Sequence, residues 1–106
     1  MEGGFRVKAD QLAMAAEQAA GAMRALSNPS RLLILGQLAA GEKTVGELED
    51  ALDLGQAYVS QQLARLRDDG IVAATRDGRQ MRYRLTDQRI APLIEVIYKE
   101  YCAYPI

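Results

Sequence analysis

The chain has no histidine, no tryptophan, one cysteine and one phenylalanine among its 106 residues. Without histidine there is no imidazole for a Ser-His or Cys-His nucleophile pair, and no nitrogen ligand of the kind zinc sites favour. No Gly-rich phosphate loop is present either. The expectation is a protein that is not an enzyme and carries no cofactor. The lone Cys102 excludes an internal disulfide framework and fits a reducing compartment. With so few aromatics, the core must rest on Leu, Ile, Val, Ala and Met. No apolar run approaches the roughly 20 residues of a membrane span, and no signal-peptide pattern opens the chain. The expected compartment is therefore the cytoplasm, with no membrane partner. What remains is one domain's worth of chain, with an ordinary 49% apolar and 25% charged share.

A net charge of −1 does not by itself favour a polyanionic partner. Its distribution does. Residues 56–84 hold six arginines against three aspartates, and the rest of the chain is acidic on balance. Binding to DNA needs a basic face, not a basic protein.

Residues 1–9 show two glycines and no clear periodicity and read as an N-terminal arm; residues 103–106 read as a tail. Between them, residues 10–102 form a single unit. From Asp10, the expected N-cap, Leu12, Ala16, Ala19, Met23 and Leu26 follow a helical stripe. Its small residues permit close approach of another helix, so it suits subunit contact as well as core. Ser27-Asn28-Pro29-Ser30 is a break, with Pro29 suited to the first turn of the next helix. Arg31–Ala39 carries Leu32, Leu33, Ile34, Leu35 and Leu38, apolar nearly all round, which predicts a buried central helix. Gly36 is out of place in it, since a helix-interior Gly costs about 1 kcal/mol relative to Ala.

Thr44-Val45-Gly46-Glu47 spells a capping box, and the helix it opens should bury Val45, Leu48 and Leu52 before ending near Asp53. A tight turn at Leu54-Gly55 leads to Gln56–Asp69, with Val59, Leu63 and Leu66 along one stripe. Two short helices joined this way form a helix-turn-helix. Ile71–Arg76 and Met81–Leu85 then flank Asp77-Gly78-Arg79-Gln80, a strong hairpin signal. Met81, Tyr83 and Leu85 alternate with Arg82 and Arg84, giving an apolar and a cationic face. A last helix over about Asp87–Cys102 buries Ile90, Ile94, Ile97 and Tyr101, with Pro92 disturbing its first turn. The fold class is α+β, mostly α: a winged helix-turn-helix of four helices, a two-stranded wing and a C-terminal helix.

With the stripe of the second short helix turned inward, Gln56, Tyr58, Ser60, Gln61 and Arg65 are left for its outer face or start. Gln and Ser hydrogen-bond base edges, and a recognition helix inserts its N-terminal residues into the major groove. Arg76, Arg79 and Arg82, with Gln80 at the hairpin tip, suit phosphates or the minor groove and supply affinity more than sequence choice. The expected partner is double-stranded DNA.

Four segments together carry a family resemblance: Ser-Asn-Pro-Ser-Arg-Leu-Leu-Ile-Leu at 27–35, Thr-Val-Gly-Glu-Leu at 44–48, Val-Ser-Gln-Gln-Leu-Ala-Arg-Leu-Arg-Asp-Asp-Gly at 59–70 and Tyr-Arg-Leu at 83–85. They resemble the ArsR/SmtB family of repressors over about residues 10–102. The resemblance implies a homodimer joined through its first and last helices, here Leu12–Met23 and Ile90–Tyr101. It also implies binding to imperfect inverted repeats and release by an inducer. Carried over, the DNA contacts fall at Gln56, Ala57, Tyr58, Ser60, Gln61 and the wing. Gly55 stands where the family often has Ser, so one helix-start contact is missing.

The family's metal sites do not carry over. Glu47-Leu48-Glu49-Asp50 holds no thiolate, and Asp87, Glu95 and Glu100 without histidine would make only a hard oxygen site. No metal is expected. The ending Tyr101-Cys102, the Arg31–Gln37 segment and the Leu63–Val72 stretch resemble instead the family's dithiol sensors of reactive sulfur and redox stress. Those place one Cys in the second helix and one near the end of the last. Cys102 matches the second position, whereas the first falls on Gly36, so an intrachain bridge is impossible. The expected inducer is reactive sulfur or an oxidant. A winged-helix module for protein–protein contact, or a regulator answering a non-thiol ligand, is the alternative.

Overall fold

The computed structural model describes residues 8–102, and most of the expected arm and the whole tail lie outside them. The order is α1 (Ala9–Leu26), α2 (Pro29–Ala39), β1 (Lys43–Thr44), α3 (Val45–Leu52), α4 (Gln56–Asp68), β2 (Val72–Asp77), β3 (Gln80–Leu85) and α5 (Ile90–Tyr101). This is the winged helix-turn-helix expected from the residues.

Its boundaries follow local chemistry. α1 starts at Ala9, inside the expected arm. Lys8 occupies the N-cap without a side-chain bond. Asp10 is therefore not the cap; it lies in the first turn, where its Oδ1 accepts from the Gln11 N–H at 2.9 Å. A carboxylate there still favours the positive end of the helix. Asn28 caps α2, its Oδ1 accepting from the N–H groups of Ser30 (2.9 Å) and Arg31 (3.1 Å). Pro29 fills the first position, where a missing N–H costs nothing. α5 begins at Ile90, later than Asp87, so Pro92 is its third residue and disturbs no internal bond.

The buried core joins Ala25 and Leu26 of α1, Ile34, Leu35 and Leu38 of α2, Leu48 of α3, Val59, Leu63 and Leu66 of α4, Val72, Leu85 and Ile90. Leu26, placed on the first stripe, belongs to it. So does Ile90, which is fully buried and unavailable to a partner subunit. α2 is less enclosed than its composition implies: Leu32 is half-buried and Leu33 exposed. Val45 and Leu52 are also only half-buried, leaving Leu48 as the core residue of α3. No helix among the described residues is long and apolar enough to cross a membrane.

The wing belongs to a three-stranded antiparallel sheet in the order β1-β3-β2. The extra strand pairs Lys43 with Tyr83 and Thr44 with Arg82. It fastens the hairpin to the start of α3. The β2–β3 register runs from Val72↔Leu85 to Asp77↔Gln80. Gly78 has φ 64° and is the only turn residue with positive φ, as the first central position of a type II′ turn requires.

Thr44 closes the capping box at the same junction. Its Oγ1 accepts from the Glu47 N–H at 3.1 Å, and Glu47 Oε1 accepts from the Thr44 N–H at 2.8 Å. Thr44→Ala is expected to cost about 0.5–2 kcal/mol of stability in urea unfolding. A loss within error would show that β1 pairing alone holds the helix start.

Candidate nucleic-acid interface

α3 and α4 meet across a turn that does not use its glycine. Asp53 takes the left-handed conformation (φ 56°, ψ 41°), which Asp tolerates better than most residues. Gly55 is extended (φ −69°, ψ 150°) and serves as the N-cap of α4 without a side-chain bond. A β-carbon at Gly55 would meet nothing within 4 Å. A serine would fit there; its absence leaves the first-turn N–H groups of α4 without a capping acceptor.

α4 divides sharply. Val59, Gln62, Leu63 and Leu66 are buried, and Gln56, Ala57, Tyr58, Ser60, Gln61 and Arg65 are all exposed. The geometry gathers Gln56, Ala57, Tyr58, Ser60 and Gln61 within the first two turns. Arg65 stands apart, nine residues beyond Gln56 and about 13 Å further along the axis. It lines a separate cleft against α1. The two adjacent glutamines have opposite surroundings. Gln61 is exposed, whereas Gln62 is buried and its Oε1 has no hydrogen-bond partner among the described residues. Polarity alone could not have told them apart; the phase of Val59, Leu63 and Leu66 could.

The wing does not present one cationic face. Residues opposite each other share a face, so the register puts Arg76 with Met81 and Tyr83, and Arg82 with Thr75 on the other side. Arg79 and Gln80 occupy the exposed tip. Arg76 is exposed, with a 3.4 Å bond from its Nη1 to the Gly78 carbonyl. Arg84 donates to Thr75 Oγ1 at 2.9 Å.

Arg82 differs from the reading of it as a free phosphate contact. Its Nε donates to Asp77 Oδ2 at 2.8 Å, and its Nη1 lies 3.7 Å from Glu47 Oε1. It ties wing to helix-turn-helix. The bond from the Thr44 N–H, aided by Arg82, holds the Glu47 carboxyl below the usual carboxylate range. The bond to Asp77 raises the Arg82 pKa further above its usual value. What Glu47 contributes is therefore present above the ordinary carboxylate pKa and is lost as pH falls through its lowered value.

Gly36 and Cys102 come together as lining of one groove between α2 and α5, about 760 Å³, with Leu32, Leu33, Ile94 and Tyr98 among its walls. Cys102 is exposed at the end of α5. A β-carbon at Gly36 would lie 3.9 Å from Ile94 Cγ2, an ordinary contact, so the site has room for a side chain. Among the described residues no cluster of three or more His, Cys, Asp and Glu groups is placed to hold a metal.

A capped helix, a turn, a second helix with a polar outer face and a tethered hairpin define a winged-helix DNA-binding transcription regulator. Residues 28–74 match the family described as "Bacterial regulatory protein, arsR family". The chain is 42% identical over 88 residues to the biofilm growth-associated repressor of Xylella fastidiosa, covering 83% of this chain and 77% of that one. It is 38% identical over 93 residues to the Escherichia coli HTH-type transcriptional regulator YgaV, covering 87% and 94%. The solved transcriptional repressor BigR from Xylella fastidiosa superposes with a TM-score of 0.84 at 38% identity, over 92% of this chain and all of that one. The protein belongs to the ArsR family, and these relatives are regulators of transcription.

Proposed function

We propose that the protein is a homodimeric repressor in the cytoplasm that occupies an imperfect inverted-repeat operator. One observation carries this reading: α4 buries a continuous apolar stripe and leaves Gln56, Ala57, Tyr58, Ser60 and Gln61 exposed at its uncapped start. Glutamine and serine there read base edges, while the free first-turn N–H groups favour a phosphate. Arg76, Arg79 and Gln80 extend the contact at the wing. Arg82 acts by holding the wing in place, and Arg65 at the margin.

The dimer reading rests on unpartnered apolar surface. All of α1 from Ala9 to Ala20 is exposed, including Leu12 and Met14, and Met23 is exposed beyond it. Val96, Tyr98 and Tyr101 stand out from α5. An 18-residue helix that buries only its last turn is accounted for by a second copy. Two recognition helices should then lie about 34–36 Å apart, one turn of B-DNA. Nuclease footprinting on the chain's own promoter should show two protected half-sites at that spacing, and light scattering at micromolar concentration should give a dimer. A monomer, or a single protected half-site, contradicts the arrangement.

The signal is read as reactive sulfur or an oxidant, met in the groove that Gly36 and Cys102 share and answered only weakly because the second thiol is missing. One solved structure similar to this chain is described as reduced HlyU from Vibrio cholerae, which supports a thiol-based reading. With glycine at position 36 no intrachain bridge can form, which leaves Cys102 a persulfide or a disulfide between subunits.

A further inference from the structure

The arginines of α1, α2 and α4 converge where no sequence motif would place them. Arg24, Arg31 and Arg65 line one cleft of about 410 Å³ with Gly21, Ala25, Ile71 and a single carboxylate, Asp69. None of the three forms an ion pair among the described residues; the ion pairs found there involve only Arg82 and Arg89. Asp69 follows Arg65 by four residues on the same helix edge yet makes no bridge to it.

Arg31 is already fixed. Its Nε donates to the Ala25 carbonyl at 3.2 Å and an Nη2 N–H donates to the Arg24 carbonyl at 3.0 Å, closing the end of α1. Three of its five N–H donors remain uncommitted. A guanidinium held in this way loses little entropy when it takes a further acceptor. Among the described residues the Arg24 and Arg65 guanidinium groups make neither the kind of carbonyl bond that holds Arg31 nor an ion pair. Gly21 sits in the interior of α1, where glycine costs about 1 kcal/mol relative to alanine. No unusual φ demands it, and a β-carbon there would meet only the Arg24 guanidinium, at 3.8 Å. That is an ordinary contact with the far end of a flexible side chain, and Gly21 lines the cleft beside it.

We infer that this cleft is a binding site for a phosphate-class oxyanion, engaged by the guanidinium forks of Arg24 and Arg65 beside the anchored Arg31. Planar forks match tetrahedral oxyanions in bidentate fashion, and an attending anion relieves the repulsion of three cations facing one carboxylate. The oxyanion is either a free phosphate group or a phosphodiester of the DNA backbone. The site is separate from the start of α4 and from the groove that Gly36 and Cys102 share.

The test uses the full chain and inorganic phosphate, titrated against potassium chloride of matched ionic strength. Phosphate should raise the melting temperature saturably, and the Arg24→Gln/Arg65→Gln double variant should lose that rise. Arg67→Gln, which removes an exposed cation of the same helix that does not line the cleft, should keep it. Circular dichroism establishes that each variant is folded. A second arm follows operator affinity against salt for Arg24→Gln alone. A slope reduced by about one unit identifies the oxyanion as a DNA phosphate. An unaltered slope with the phosphate effect lost identifies a free anion. The inference is overturned if the melting rise is absent, or equal in the double variant, while the slope of Arg24→Gln also stays unaltered. The melting arm needs no DNA, so failure of the cleft and failure of the operator reading are separate results.

Discussion

Replacing Gln61 with alanine is expected to weaken operator binding by about 1–3 kcal/mol, roughly 5- to 150-fold, while leaving affinity for random DNA almost unaltered. The same holds for Gln56. Both side chains are exposed in the first two turns of α4, on a helix whose other side is fixed by Val59, Leu63 and Leu66. That packing sets the direction of the glutamines, so truncation removes base contacts and leaves the backbone fit intact. Arg79→Ala should behave differently. At the wing tip, with no packing role, it should weaken operator and random DNA alike and flatten the salt dependence by about one unit. Fluorescence anisotropy on both DNAs at several salt concentrations separates the two patterns. Equal losses on operator and random DNA for the glutamine variants would refute the division of roles.

The second large effect concerns the groove between α2 and α5. Organic polysulfide should release the chain from its operator weakly or not at all, because an adduct on the exposed Cys102 alters only local packing and charge. A ligand shifts an equilibrium only through its differential affinity for the two states. Gly36→Cys should convert the groove into a responsive one. Position 36 lines the same groove as Cys102, and a β-carbon there is in ordinary contact with Ile94. A bridge forms if the Cα atoms approach within about 4.4–6.8 Å. Tying α2 to α5 should then lower operator affinity about 5- to 150-fold, the usual range for coupling between sites. Mass spectrometry establishes whether the bridge exists. A bridged variant that still holds its operator would show that this regulator answers a different signal. Full release of the unmodified chain would assign sensing to Cys102 alone or to no thiol.

Much of this arrangement was legible in the residues, and the failures share a cause. Thr44 with Glu47, Asn28-Pro29 and Asp77-Gly78 act within a few residues of chain, so their roles could be read locally, and the structure has caps and a turn where they stand. The Val59-Leu63-Leu66 phase fixed which side of α4 faces out. What could not be read depends on partners distant in sequence. β1 is only two residues long and exists because β3 comes to meet it. Arg82 looked like its neighbours on an alternating strand, yet Asp77 and Glu47 engage it from either side. Ile90 and Leu26 matched apolar stripes whose destination, core or partner subunit, periodicity does not specify. The left-handed residue between α3 and α4 is Asp53, because the chain reverses before it reaches Gly55. Nothing local brings Arg24, Arg31 and Arg65 into one cleft; three separate helices do.

Sequence-selective recognition of DNA is the central claim, and competition binding measures it most directly. Labelled DNA from the chain's own promoter would be titrated with the full chain at about 150 mM salt, against a scrambled duplex of equal length and composition. A specific site should be bound about 10³–10⁷ times more tightly than the scrambled one, with both affinities falling as salt rises. Equal affinity for the two duplexes, or no salt-dependent binding to either, would contradict the account and leave a winged helix used for contact with other proteins.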